Sequence, residues 1–188
     1  MSSSSSLTKA LGLFLTATAL VLAGCSGQQT AEEALAKSFS EAGIQKEAVF
    51  PLAGHLSVDG APPANDGRYP VIVVLIERGK TAEAAEPPRF VECDPDGRFS
   101  FITYDRDDGV KPSHYVVAVA KLRRAGPRRY TGPDQFHNRY NDPDKNAREA
   151  EFQIEHQAPG RTDYDLQLTI AGAEPIETPG PHSITGIP

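Results

Sequence analysis

Residues 69–77 read YPVIVVLIE, and this run lacks the polar alternation of a strand with one wet face. It is the most apolar stretch beyond residue 47 and suits a central strand buried on both faces. Other short runs of β character surround it, separated by turn signals. Val49–Val58 comes first, followed by a turn at Asp59-Gly60 and a proline-containing loop over 61–67. Arg89–Glu92 and Arg98–Tyr104 flank Asp94-Pro95-Asp96-Gly97, which is expected to close a hairpin because glycine tolerates positive φ. In the second arm Phe99 and Phe101 alternate with Ser100 and Ile102. His114–Leu122 has Tyr115, Val117 and Val119 on one face. After a long connection over 123–146, Ala150–His156 and Thr162–Ile170 form a last pair, with Phe152 and Ile154 on one face and Tyr164, Leu166 and Leu168 on another. With no tryptophan and few aromatics, the core must rest on Val, Ile, Leu, Phe and Tyr. Seven strands with intervening turns predict an all-β fold, a seven-stranded antiparallel β-sandwich.

The N-terminus follows a different pattern. Lys9 is the sole charge before Cys25, and residues 10–24, ALGLFLTATALVLAG, are apolar, small or hydroxylated. This is the layout of a secretory signal peptide. Fifteen residues fall short of the roughly 20 needed to span a bilayer. Leu22-Ala23-Gly24-Cys25 resembles a lipobox, the pattern of bacterial lipoprotein signals. The resemblance implies cleavage before Cys25 and a diacylglycerol on its thiol. Multiple acyl chains make such anchoring stable, at about 0.8 kcal/mol for each buried CH₂. The expected location is the cell envelope, facing the periplasm or exterior. Ser26 rather than Asp after the cysteine favours the outer membrane under the usual sorting rule.

Cleavage leaves 164 of the 188 residues and shifts the formal charge from −6 to −7. That length suits one domain with tails, and the acidity argues against general nucleic-acid binding. With Cys25 acylated, Cys93 stands alone and no internal disulfide forms. Residues 25–47 are polar and Ala/Glu-rich. Part of this stretch can form a weak helix with Leu35, Phe39 and Ala42 on one side; its expected role is a lipidated tether. The β domain is expected over 48–172, and the Pro/Gly-rich residues 173–188 read as a disordered tail.

Several segments resemble small exported lipoproteins with a transthyretin-like, or carboxypeptidase-regulatory-like, domain. They are Gly54–Gly60, DPDGRFSFITYDRDDGVKPSHYVVAV over 94–119, FHNRYNDPDKNAREAEFQIE over 136–155, and DYDLQL over 163–168. Asp94, Gly97, Phe99, Tyr104, Asp108, Gly109, Pro112, Tyr115, Tyr140, Asp142 and Pro143 sit at or near the motif positions. Two departures are Ile102-Thr103-Tyr104 for Thr-Thr-Tyr and Pro112-Ser113-His114 for the Pro-Gly turn. The resemblance covers about two thirds of the chain after Cys25 and implies an immunoglobulin-like Greek key. Its motifs are turn glycines and core aromatics, so it implies a fold and no agreed activity.

Candidate chemistry is sparse. Asp94, Asp96, Asp105, Asp107 and Asp108 can line a calcium site, since hard cations want clustered carboxylates; the same residues serve as turn caps. Asp142-x-Asp144-x-Asn146 starts like an EF-hand loop, but Ala147 and Gln153 replace the required Gly and Glu. His55, His114, His137, His156 and His182 form no closely spaced pair that would support zinc. Intradiol dioxygenases, on a related sandwich, bind iron through two Tyr and two His. Tyr130, Tyr140, His137 and His156 are the residues available here, without the close histidine pair. The hydroxyisourate hydrolase tail Tyr-Arg-Gly-Ser is replaced by Thr185-Gly186-Ile187-Pro188. No G-x-S-x-G occurs, and Cys93 has no evident partner histidine. Lys121, Arg123, Arg124, Arg128 and Arg129, with Tyr130 beside them, form a basic loop in an acidic protein. This loop is the candidate surface for an envelope protein or acidic glycan. The reading is therefore a non-catalytic, membrane-anchored envelope module without a cofactor, binding a protein or glycan or serving as a structural spacer; the alternative is a metal-binding or enzymatic sandwich, with calcium at the Asp loops or iron at the Tyr/His set.

Overall fold

A computed structural model describes residues 30–43, 45–79 and 87–172. The expected signal peptide, Cys25 and the expected tail over 173–188 lie outside the described residues. The chain divides into two units, 1–46 and 47–188. In the first, the helical alternative holds: α1 spans Ala31–Glu41. Thr30 Oγ1 accepts from the Glu33 amide at 3.2 Å, and the Glu33 carboxylate accepts from the Thr30 amide at 3.1 Å. This reciprocal capping box satisfies amides that the first turn otherwise leaves bare. From Glu33 to Glu41, Leu35 and Phe39, one turn apart, are the partly covered residues and the others are exposed.

The second unit is mostly β. Its strands are β1 (Leu52–Val58), β2 (Val71–Glu77), β3 (Arg89–Glu92), β4 (Arg98–Ser100), β5 (Ser113–Lys121), β6 (Arg123–Gly126), β7 (Arg129–Thr131), β8 (Gln153–His156) and β9 (Arg161–Leu168). One sheet has the order β4-β1-β9, a second β3-β2-β5-β8, and β6-β7 is a separate ribbon. All seven expected runs form strands. The count of seven is nevertheless corrected to nine among the described residues. The connection over 123–146 holds the extra hairpin, whose polar residues carry no period-2 apolar signal.

A further correction concerns strand direction. The architecture is not purely antiparallel, because β1 and β9 run parallel, with Leu56 opposite Leu166 and Val58 opposite Leu168. The register shifts between Leu52 and Gly54. There a Cβ on Gly54 would stand 2.0 Å from the Tyr164 carbonyl oxygen, so this close approach of backbones requires glycine.

Burial follows strand alternation. Leu52 and Leu56 of β1, Val71, Val73 and Leu75 of β2, Tyr115, Val117 and Val119 of β5, and Tyr164, Leu166 and Leu168 of β9 join one apolar cluster shared by both sheets. The opposite faces of β2 and β5 supply Ile72, Val74, Ala118 and Ala120 to a second cluster with Leu122 and Tyr130. The run at 71–75 is thus buried on both faces, as its composition predicts. Ala118 and Ala120 are small enough to let the β6-β7 ribbon lie close.

The connection after β7 is pinned from within. Asn146 is buried and donates to the carbonyls of Val117 at 2.9 Å and Tyr140 at 2.8 Å. Asp142 caps the short helix α2 (Pro143–Asn146) by accepting from the amides of Asp144 and Lys145. The EF-like segment is therefore a helical turn.

Candidate anion-binding cleft

The cleft begins at the turn Asp94–Gly97. Gly97 N donates to the Asp94 carbonyl at 2.9 Å, Asp94 N donates to the Arg98 carbonyl at 2.8 Å, and Gly97 sits at φ +87°. The expected turn forms, but β3 and β4 do not pair with each other, which corrects the hairpin expectation. Cys93 N donates to the Val71 carbonyl at 2.9 Å, committing β3 to β2. Phe101 N donates to the Leu52 carbonyl at 2.9 Å, and Leu56 N to that of Gly97 at 2.8 Å, committing β4 to β1. One turn thus sends its arms to the edges of two sheets, and the arms diverge.

Between the arms lies a cleft of about 490 Å³. Arg89, Phe90, Val91 and Glu92 line one side, and Ser100, Ile102 and Thr103 the other. Arg124, Arg128 and Tyr130 close it from the ribbon. Ile102 is 55% exposed, the exposed large hydrophobic side chain among the described residues. Phe90 and Tyr130 meet edge to face, with centroids 5.7 Å apart at 87°. The Tyr130 hydroxyl donates to Glu92, and the Arg124 guanidinium pairs with the same carboxylate. Burial first, and then the Glu92 carboxylate, pushes the Tyr130 hydroxyl above its ordinary range, so it stays a donor. Arg124 Nε also donates to the Gly67 carbonyl at 3.2 Å. Arg89 Nη1 donates to Thr103 Oγ1 at 3.0 Å, spanning the gap between the two sheets. Arg128 is exposed at φ +57° in the ribbon turn. Among the described lining residues three guanidinium groups accompany one carboxylate, that of Glu92.

A larger groove of about 690 Å³ is lined by residues of β1, β3, β4 and β9. It shares Val91, Glu92, Ser100 and Ile102 with the smaller cleft, and its Arg98 and Arg106 are outnumbered by Glu92, Asp94 and Asp107. Its described lining is net acidic by one charge, so for an anion the smaller cleft is the better candidate.

The basic loop of the sequence is divided by strand geometry. Arg124 stands opposite Tyr130 in the ribbon, so both share a face. Successive side chains alternate, which puts Arg123 and Arg129 on the other face. Lys121 donates to the Ala64 carbonyl and does not line the cleft. Arg124, Arg128 and Tyr130 come together; Lys121, Arg123 and Arg129 do not join them. Arg89 and Ile102 were missed in the sequence. Their signals were an arginine opening an edge strand and an isoleucine on the outward phase set by Ser100.

The aspartates are turn builders. The Asp108 carboxylate accepts from the amides of Thr103 and Tyr104, each at 2.7 Å, and of Asp105 at 3.0 Å. Asp105 accepts from the Arg106 amide at 2.7 Å, and Asp96 pairs with Arg98 at 3.1 Å. Asp94 and Asp107 line the larger groove. Among the described residues no group of three or more His, Cys, Asp or Glu is placed to hold a metal. The five aspartates are therefore not brought together as a metal site among the described residues; Asp105 and Asp108 spend their oxygens on turn amides and Asp96 on Arg98.

The Tyr/His set is dispersed. Tyr130 bonds Glu92, Tyr140 donates to the Thr169 carbonyl at 2.8 Å while packing on Phe152, and buried His156 contacts the Phe50 carbonyl at 3.1 Å through Nε2. His137 is exposed at φ +56°. Cys93 is buried, and burial, with Asp94 beside it, pushes its thiol up to about 12. That leaves no thiolate near neutral pH and suits a packing role. Compared with protein-family models, with curated proteins and with solved structures, the chain matches none.

Proposed function

We propose that this protein is a lipid-anchored, non-catalytic module of the bacterial cell envelope that binds an anionic partner in the β3-β4 cleft. The observation that carries the binding part is the convergence of Arg89, Arg124 and Arg128 in one cleft whose lining also holds Phe90, Tyr130 and Ile102. Cationic groups select the sign of the ligand, and Phe90, Tyr130 and Ile102 add apolar contact area that salt does not screen. The anchoring part rests on Leu22-Ala23-Gly24-Cys25. We read the fold as a seven-stranded Greek-key sandwich of transthyretin-like type with an added ribbon. The three- and four-stranded sheets that share one core support this. So do the motif residues: Phe99 and Tyr115 lie in that core, and Gly97 closes the turn. The buried Cys93 thiol and the turn-bound aspartates support the non-catalytic reading.

Two measurements test it. Cys25→Ala should abolish labelling by a fatty-acid probe and release the protein from membranes, or leave it unprocessed. A variant that stays anchored and normally cleaved would refute lipidation. For the cleft, the processed chain should bind a soluble polyanion such as heparin at low salt. Arg89→Ala with Arg128→Ala should weaken this about tenfold or more. Unchanged affinity would remove the cleft as the binding site.

A further inference from the structure

Among the described residues β3 and β4 are terminal strands of their sheets, and both line the same cleft. In β3, Cys93 N bonds back to β2, and the pairs Val73–Val91 and Val74–Phe90 continue the register. Alternation of an antiparallel ladder then turns the backbone N–H and C=O groups of Phe90 and Glu92 away from β2. In β4, Phe101 N and the Gly97 carbonyl bond to β1, so the backbone groups of Ser100 and Ile102 point away from it. No backbone partner for Phe90, Glu92, Ser100 or Ile102 occurs among the described residues. A row of outward backbone groups is a template for another strand, and proteins commonly blunt such edges with charge or cover. Here Glu92 on β3 is already engaged by Arg124 and Tyr130, and Arg128 stands exposed in the same lining, beside an exposed isoleucine.

We infer that the cleft takes an extended acidic peptide, which adds as a further strand to the free edge of β3. The inference rests on the anionic-partner reading above and specifies its ligand class. A polypeptide is favoured because it alone offers backbone donors and acceptors at the spacing of the outward Phe90 and Glu92 groups. Its side chains alternate between two faces. One set meets Arg124 and Arg128 on the ribbon side and suits carboxylates. The other meets Val91 and Ile102 between the sheets and suits aliphatic groups. The expected sequence is thus acidic and apolar in alternation. An acidic glycan satisfies the arginines but leaves the edge amides without a matching ladder.

The test uses the full processed chain in detergent and a fluorescent six-residue peptide alternating glutamate and valine, followed by anisotropy. The peptide should bind and lose affinity with added salt. Methylating the amide nitrogens of alternate residues keeps its charge but blocks one edge of the ladder. Of the two methylated series, the one that removes the amides facing β3 should bind about tenfold or more weaker. Arg128→Glu should weaken the parent peptide by a similar factor. Arg129→Glu, on the opposite face of the ribbon, controls for net charge and should leave it unchanged. Equal binding of the parent and both methylated peptides would overturn strand addition while leaving an anion-binding cleft. Binding of a uronate oligosaccharide without binding of the peptide would overturn the inference in favour of a glycan. Concentration-dependent dimers that exclude the peptide would overturn it by naming a second copy as the occupant. Failure of every anionic probe would overturn both readings.

Discussion

At Gly97 the backbone runs at φ +87°, and a Cβ there would stand 2.2 Å from the Leu56 carbonyl oxygen. That carbonyl belongs to β1, against which β4 is laid, so no flexible side chain is available to yield. Gly97→Ala combines a left-handed conformation with a backbone clash and should cost about 2–4 kcal/mol. Urea unfolding monitored by circular dichroism would read this as a lower midpoint with an unchanged slope. Cys93, four residues earlier, is held by the same corner. Its buried thiol should resist a thiol reagent in the native protein and react at once after unfolding. Fast native reaction near pH 8 would show that the corner opens.

At the level of elements, the β6-β7 ribbon and the β3 edge depend on each other through Tyr130. Its ring packs on the small-residue face of β5 and against Phe90, and its hydroxyl holds Glu92. Tyr130→Ala should cost about 2–4 kcal/mol and also weaken anion binding, because Arg124 and Arg128 lose their fixed position. Tyr130→Phe should cost about 1 kcal/mol and leave the ribbon in place. Calorimetry on both variants separates packing from the hydrogen bond. The edge of β4 has its own test. The Ser100 amide points away from β1, so Ser100→Pro removes no ladder bond and should cost under about 1 kcal/mol. Proline at Phe99 should cost about 3 kcal/mol or more.

For the molecule as a whole, alkaline pH is the exposed flank. Cys93, Tyr130 and Tyr164 all have proton affinities raised foremost by burial. In the unfolded chain each ionises at its ordinary value, 9.0 for the thiol and 10.0 for the phenols. Above those values the unfolded state has lost protons that the folded state still binds. Stability should therefore be level below pH 9 and fall as the pH rises through the thiol's folded value of about 12. Thermal melts from pH 7 to 11 check the sign; a melting temperature that rises over this range would contradict the burial of these groups.

The strand runs, the two-faced burial of 71–75 and the turn at Asp94–Gly97 were legible in the sequence. Each is local, set by side-chain alternation, by apolar content over a few residues, or by glycine's access to positive φ. The parallel pairing of β1 with β9 was not legible, because it joins segments over a hundred residues apart that carry no mark of direction. The cleft was half legible. Arg124, Arg128 and Tyr130 stood out as neighbours in the chain, but so did Lys121, Arg123 and Arg129, which strand alternation turns elsewhere. Arg89 and Ile102 joined the site only because one tight turn delivers its arms to different sheets. The sequence alone therefore determined where strands form and what charge the chain presents. The tertiary structure decided which edges stay open and which charges face them, since those depend on pairing between strands distant in sequence.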